Sequence, residues 1–376
     1  MSDRGASGRQ GLRVLMATPR FLPETGGVET HVYETARRLV ARGVEVTVLC
    51  TDTSGELASH EVVEGVSVVR VRAHPRRRDY RFAPALGAVV RSGSWDLIHV
   101  QSYHTLVAPH VMLAALRARV PYVLSFHAGG HSARLRAAAR PLQQRLLGPL
   151  IRRAERLVVL ADFEASLYGT RLRVPERRFV SVPNGADLPH IPDAERPPTE
   201  PGLIASIGRL ERYKGHHRAI EALPAVLRSR PGARLWIAGT GDYEGELRSL
   251  ADRLGVADRV EIRAVPAGDR RAMADEVSRA SLVVLLSEFE THPIAALEAI
   301  ALGRRVLVAR TTGLSELADR GLARGVALDS SPEAFSVAMI EEMDRPPLAD
   351  PPAIPSWDDC AIRLEGVYRD VLGRAA

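Results

Sequence analysis

Leu203-Ile204-Ala205-Ser206-Ile207-Gly208-Arg209-Leu210-Glu211-Arg212-Tyr213-Lys214-Gly215 is the stretch that decides the fold. Its first five residues form a short apolar run of strand length, the next eight are polar and bracketed by glycine, and Gly215 to Leu227 has the apolar spacing of a helix. Strand, loop and helix in that order are the unit of a parallel α/β sheet. The pattern repeats downstream. Leu235–Ala238, Val260–Arg263, Leu282–Leu286, Arg305–Ala309 and Gly325–Leu328 read as strands, and helices are expected over Tyr243–Leu254, near Arg270–Val277 and over Ile294–Leu302.

Upstream the same alternation is present. Val14–Ala17, Val44–Leu49, Val66–Val71, Asp96–Val100, Tyr122–Phe126, Leu157–Leu160 and Phe179–Val182 read as strands, with helices at Val28–Leu39 and Leu106–Ala118. Ser132–Arg156 is a long basic amphipathic stretch that Pro141 and Pro149 are expected to kink or split. Five prolines within residues 187–201 mark an interdomain connection, and a second proline-rich stretch precedes a final helix from about Asp358 to Leu372. The expected architecture is therefore α/β, with two doubly wound Rossmann-like domains facing a central cleft: residues 1–190 and 201–350, the final helix at about 356–376 returning to the first.

Composition narrows the function. The chain has 376 residues, 45% apolar and 26% charged, the profile of a globular protein with a packed core. No apolar run approaches the length of a membrane span, and the short run behind the polar N-terminus does not make a signal-peptide core, so a cytoplasmic chain is expected. Two cysteines are too few for a disulfide framework or a zinc site. Residues 1–198 hold 28 basic and 18 acidic side chains, so the excess of positive charge lies in the first half. Lys214 is the only lysine and Asn184 the only asparagine, which singles out both positions.

Arg209 and Lys214 place two cations on a strand-to-helix loop, where unpaired backbone N–H groups and the helix dipole also favour negative charge. That combination suits a diphosphate. A solvated basic loop that merely caps a helix is the plain alternative. Glu290 and Glu298 flank Thr291-His292-Pro293-Ile294-Ala295-Ala296-Leu297. With Pro293 in the first turn of a helix, Glu290 sits in the loop ahead and Glu298 on the second turn, so both can reach one polyhydroxylated ligand. Carboxylates are good acceptors for sugar hydroxyls.

With Gly26-Gly27-Val28-Glu29, Asp96-Leu97-Ile98-His99-Val100, Ser125-Phe126-His127, Val182-Pro183-Asn184-Gly185 and Gly239-Thr240-Gly241, these segments resemble, in order and spacing over nearly the whole chain, the retaining GT-B glycosyltransferases of glycosyltransferase family 4. The resemblance implies a transferase that moves a sugar from a nucleotide-sugar, with a UDP-sugar favoured, to a hydroxyl acceptor. It implies that Arg209 and Lys214 hold the donor diphosphate, Glu290 the transferred sugar and Glu298 the ribose. It places His127 beside the reacting sugar and lets the Gly26-Gly27 backbone approach it. Thr291-His292-Pro293 stands where the family commonly has Gly-Phe-Gly, ahead of the aliphatic Ile294, and Pro293 has no N–H to offer the donor. Gln101 replaces a common second histidine, and Thr312-Gly313 a common Gly-Gly.

The chain contains no Asp-X-Asp triplet, so cationic side chains are expected to replace a metal at the leaving group; no cofactor beyond the donor is implied. Partners are the nucleotide-sugar and a small-molecule, glycan or lipid-linked acceptor. Segment 134–156 is weighed as a peripheral membrane contact against a solvated helix face. Two other readings stand beside transfer: a nucleotide-sugar epimerase or phosphorylase-like enzyme on the same fold, and a nucleic-acid-binding protein. The last lacks aromatic interleaving, with Arg76-Arg77-Arg78 its most compact cluster.

Overall fold

The computed structural model describes residues 11–24, 26–74, 82–127, 134–186, 188–189, 191–192, 195–266, 269–348 and 351–375, without the side chains of 134–141 and 375. The Arg76-Arg77-Arg78 cluster and the side chains of Arg134, Arg136 and Arg140 lie outside these described residues. In chain order the elements of the first part are β1 (Arg13–Ala17), α1 (Gly27–Ala41), β2 (Glu45–Asp52), β3 (His60–Val63), β4 (Val66–Arg72), α2 (Leu86–Ser92), β5 (Leu97–Gln101), α3 (Val107–Ala118), β6 (Tyr122–Ser125), α4 (Arg134–Ile151), β7 (Arg156–Val159), α5 (Asp162–Leu172) and β8 (Phe179–Ser181). The second part comprises β9 (Leu203–Ile207), α6 (His216–Ser229), β10 (Arg234–Ala238), α7 (Glu244–Arg253), β11 (Val260–Ile262), α8 (Arg270–Arg279), β12 (Leu282–Leu285), α9 (Ile294–Ala301), β13 (Arg305–Ala309), α10 (Thr312–Asp319), β14 (Arg324–Val326) and α11 (Pro332–Met343); α12 (Trp357–Ala375) closes the chain.

Two compact units result. The first contains the chain up to His127, Pro141–Val182 and Trp357–Ala376; the second contains Ala128–Arg140 and Pro183–Ser356, so that the division falls within α4. In the first, the strand order is β3-β4-β2-β1-β5-β6-β7-β8. Its strands are parallel except β3, which pairs antiparallel with β4 through a turn at Glu64-Gly65, a hairpin the sequence reading did not contain. α12 packs on α1, with Arg42 Nε donating to Glu365 Oε2 at 2.6 Å, and reaches β5, where Tyr368 Oη meets His99 Nδ1 at 2.7 Å.

The second unit is a fully parallel sheet in the order β11-β10-β9-β12-β13-β14. Successive residues of its strands enter opposite cores, as the period of two requires. Ile204, Leu282 and Val284 pack with α6, α7 and α11, whereas Leu203, Ala205, Val283 and Leu285 pack with α8, α9 and α10. Burial on both faces explains why these strands read as unbroken apolar runs.

One expectation fails outright. α4 runs unbroken from Arg134 to Ile151 although Pro141 lies inside it, and Arg156 belongs to strand β7 rather than to the basic helix. An interior proline costs about 3 kcal/mol. Side-chain bonds just beyond it tie the helix to the segment after β5: Gln143 Nε2 donates to the His104 carbonyl at 3.1 Å, and Gln144 Nε2 to Tyr103 Oη at 2.8 Å. Pro149 falls in the last turn, where its missing N–H removes one further helical bond, to the carbonyl four residues back. Among the described residues no helix is long and apolar enough to cross a membrane. Cys50 and Cys360 are buried and form no disulfide.

Candidate active site

In the second sheet the chain reverses direction of travel between β9 and β12, which are neighbours. Loops leaving adjacent strands at such a switch point diverge and leave a crevice beyond the strand C-termini. The loop after β9 carries Arg209 and Lys214; the loop after β12 carries Ser287, Glu290, Thr291 and His292.

The fold brings Lys214 and Glu290 into contact. Lys214 Nζ donates to Glu290 Oε1 at 2.6 Å, and Ser287 Oγ donates to the same oxygen at 2.9 Å. Glu290 Oε2 has no partner among the described residues. Both side chains of the pair are mostly buried. Burial disfavours the charged lysine, but the Glu290 carboxylate outweighs it and leaves the Lys214 pKa raised, so the ammonium stays charged at neutral pH. Lys214 also lies 5.3 Å from the Tyr213 ring centroid.

Gly215 makes this approach available. Its φ of 75° is in the left-handed region, and a Cβ there would collide with the Leu286 carbonyl on the neighbouring loop. His216, the first residue of α6, is buried between Ser206 Oγ at 2.8 Å and the Arg209 carbonyl at 3.2 Å, tying the start of the loop to its end. Desolvation lowers its pKa to about 4, so the ring is neutral at physiological pH. Arg209 is more exposed. Its guanidinium donates to Tyr213 Oη at 2.9 Å and pairs with Glu211.

Glu290 is held by its backbone as well. Its N–H donates to Thr312 Oγ1 at 3.0 Å, the Thr312 hydroxyl is 2.6 Å from its carbonyl, and Gly313 N–H donates to that carbonyl at 2.9 Å. A Cβ at Gly313 would strike the Thr291 carbonyl. Thr312 itself sits at φ 34°, which is costly for a β-branched residue and of the kind that concentrates at functional sites. Asn184 Nδ2 donates to the His292 carbonyl at 3.4 Å, which gives the lone asparagine a structural task on the same loop.

Beyond this loop, Thr291 is buried, Ile294 opens α9 and Pro293 precedes it as the cap. Glu298, on the second turn of α9, is buried and paired with Arg270 at the start of α8. The structure thus joins Lys214 with Glu290 and gives Glu298 a different cation. Sequence reasoning missed Ser287, Tyr213 and Arg270. It noted Thr312-Gly313 only as a departure, without the clamp those residues form.

His127 and Gly26-Gly27 belong to the first unit. His127 follows β6 with φ 44° and is buried; its Nε2 contacts Gln101 Oε1 at 2.6 Å. An amide oxygen only accepts, so Nε2 carries the proton and Nδ1 of the neutral ring is the acceptor. Desolvation, then the neighbouring His31, His99 and His104, hold the His127 pKa well below its usual value. His31 on α1 packs edge-on to His127, with centroids 4.6 Å apart. Gly27 begins α1 behind Gly26, and no side chain caps the helix through Gly26.

Residues 25–189 match the family model described as Glycosyltransferase Family 4, and residues 189–351 that described as Glycosyl transferases group 1. The chain is 31% identical to a glycogen synthase of Mycobacterium tuberculosis (strain CDC 1551 / Oshkosh), over 82% of this chain and 81% of that protein. It is 29% identical to a D-inositol 3-phosphate glycosyltransferase of Nocardiopsis dassonvillei, over 84% and 81% respectively. Among solved structures it resembles a sucrose-phosphate synthase from Thermosynechococcus elongatus, with a TM-score of 0.74 at 17% identity, covering 96% of this chain and 100% of the other. It also resembles Anabaena HepE in complex with UDP-glucose, with a TM-score of 0.69 at 18% identity, covering 96% and 98%.

Proposed function

The chain belongs to glycosyltransferase family 4 and acts on a nucleotide-sugar, and we propose that it transfers the sugar to a hydroxyl acceptor with retention and without a metal ion. The observation that carries this reading is the Lys214–Glu290 contact at 2.6 Å, with Arg209 on the same loop.

In the proposed reaction the bond from the anomeric carbon to the diphosphate oxygen breaks as a bond to the acceptor oxygen forms on the same face, and the acceptor proton passes to the departing phosphate. Negative charge grows on the leaving group, so preorganised cations there lower the barrier; removing one such group typically costs about 10²–10³ in rate. Lys214, kept protonated by Glu290, and Arg209 supply that charge. Glu290 would use Oε2 for a sugar hydroxyl while Oε1 keeps the lysine in place. Thr291, His292 and Ile294 would line the sugar pocket, and Glu298 would bind the ribose in exchange for part of its contact with Arg270. His127, neutral and fixed by Gln101, is a positioning group for the transferred sugar, and the Gly26-Gly27 backbone is where the ligand would come close.

A UDP-sugar is the donor we favour, supported by the UDP-glucose bound in Anabaena HepE. The acceptor is proposed as a polyhydroxylated small molecule, glycan or lipid-linked sugar. A panel of nucleoside diphosphates and nucleotide-sugars in a thermal-shift assay tests the donor, since only the correct one raises Tm at micromolar concentration. Turnover with that donor, in the presence of EDTA and with the product anomer read by NMR, tests the rest. Loss of turnover with EDTA, or an inverted product, overturns the reading; a change in the donor sugar without acceptor would indicate an epimerase.

A further inference from the structure

The second unit contains a cavity of about 650 Å³ whose walls include Arg304, Arg305, Arg320, Arg324 and Arg345, with Glu342 as the one carboxylate in the lining. We propose that this cavity is a binding site for a small phosphate-bearing molecule, separate from the donor crevice. Residues 199–376 carry more acidic than basic side chains, so five guanidiniums on one concavity run against the charge of their own half of the chain.

Much of this charge is left uncompensated. Arg324 pairs with Glu341, and Arg345 Nη1 lies 2.9 Å from Glu342 Oε1. The other three have no carboxylate partner among the described residues. Arg304 is buried, and its guanidinium is held by neutral oxygens alone: Thr199 Oγ1, the Ser278 carbonyl at 3.1 Å and the Leu302 carbonyl at 3.2 Å. Arg305 Nε donates only to the Pro346 carbonyl, at 2.8 Å, and Arg320 makes no side-chain hydrogen bond or ion pair among the described residues. A buried cation without a counter-charge is costly, and gathering further cations beside it adds repulsion that an anionic ligand would relieve. Burial and the nearby Arg196 accordingly lower the Arg304 pKa.

Phosphate is the anion that fits this chemistry. Guanidinium forks bind its oxygens in pairs and are less strongly hydrated than ammonium groups. The volume is that of a small-molecule pocket.

The cavity also lies away from the chemistry. Arg304 and Arg305 stand at the start of β13 and Arg324 at the start of β14, whereas Lys214 and Glu290 follow the ends of β9 and β12 in the same parallel sheet. A five-residue strand separates the two edges by about 16 Å. A ligand bound here is therefore not the donor under transfer.

Isothermal titration of the full chain with inorganic pyrophosphate and with a hexose monophosphate, in saturating UDP to fill the donor crevice, tests the proposal. Saturable one-to-one binding is expected for at least one probe, and which one binds more tightly identifies an inorganic or a sugar-linked source. The double variant Arg305→Ala/Arg320→Ala removes no ion pair, so it should keep its Tm and bind at least about tenfold more weakly. The exposed pair Arg171→Ala/Arg177→Ala makes the same change in net charge elsewhere and should bind as the parent does. Absence of saturable binding by either probe, or equal weakening in the two double variants, would overturn the proposal.

Discussion

Lys214 draws its importance from being held rather than from being basic in a chain of arginines. Its Nζ shares Glu290 Oε1 with the Ser287 hydroxyl, so removing it deprives a mostly buried carboxylate of its counter-charge. We expect Lys214→Met to lower kcat by about 10²–10³ and to destabilise the fold by up to about 3–5 kcal/mol, the range for breaking a buried pair on one side. The double variant Lys214→Met/Glu290→Gln should regain much of the stability and none of the activity, which chemical denaturation beside steady-state kinetics will check. Arg209→Ala, by contrast, should cost rate and diphosphate affinity with an unchanged Tm, because its guanidinium is largely solvent-exposed and its partners are local.

Two helices act as braces. α10 begins where Thr312 and Gly313 clamp the Glu290 backbone, so Thr312→Val should loosen that loop. Losing a hydrogen bond of about 1 kcal/mol predicts a roughly fivefold rise in donor KM with little change in Tm. α12 braces the first unit from the far end of the sequence. Tyr368 Oη meets His99 Nδ1, and His99 Nε2 lies 2.8 Å from Ser125 Oγ, all of them buried. Tyr368→Phe leaves the imidazole short of a partner and should cost about 1–3 kcal/mol. A lower denaturation midpoint with an unchanged m-value would confirm it.

At the scale of the molecule, buried histidines set the acid limit of stability. Desolvation lowers His99 to about 3, and His216 and His217 to about 4 each, with His127 also well below its usual value. Each folded-state pKa lies under the unfolded value of about 6.5. Between the two values the unfolded chain binds protons that the folded chain refuses, so stability rises with pH across that window and is fully present above it. Tm should therefore fall steeply from about pH 6.5 towards pH 4, beginning above the range in which carboxylates titrate. A Tm that stays flat from pH 7 to pH 5 would contradict this account.

The alternation of strand and helix is legible in the residues alone, because strands buried on both faces must be apolar throughout and their connecting helices must show a 3.6-residue stripe. The sequence also placed Arg209, Lys214, Glu290 and Glu298 on loops and helix starts, since glycine and proline punctuate those positions. It did not reveal α2, α5, α10 or α11, whose apolar spacing is short or interrupted, nor the four-residue β3. Nor did it reveal that Pro141 would be carried inside a helix, because side-chain bonds from Gln143 and Gln144 to another part of the chain offset a local penalty. The pairing of Lys214 with Glu290, the clamp from Thr312 and the joining of Gln101 to His127 were decided only in three dimensions. Each connects positions at or just beyond the ends of different strands, and which strand ends become neighbours depends on strand order, a property of the whole sheet that no local window of residues contains.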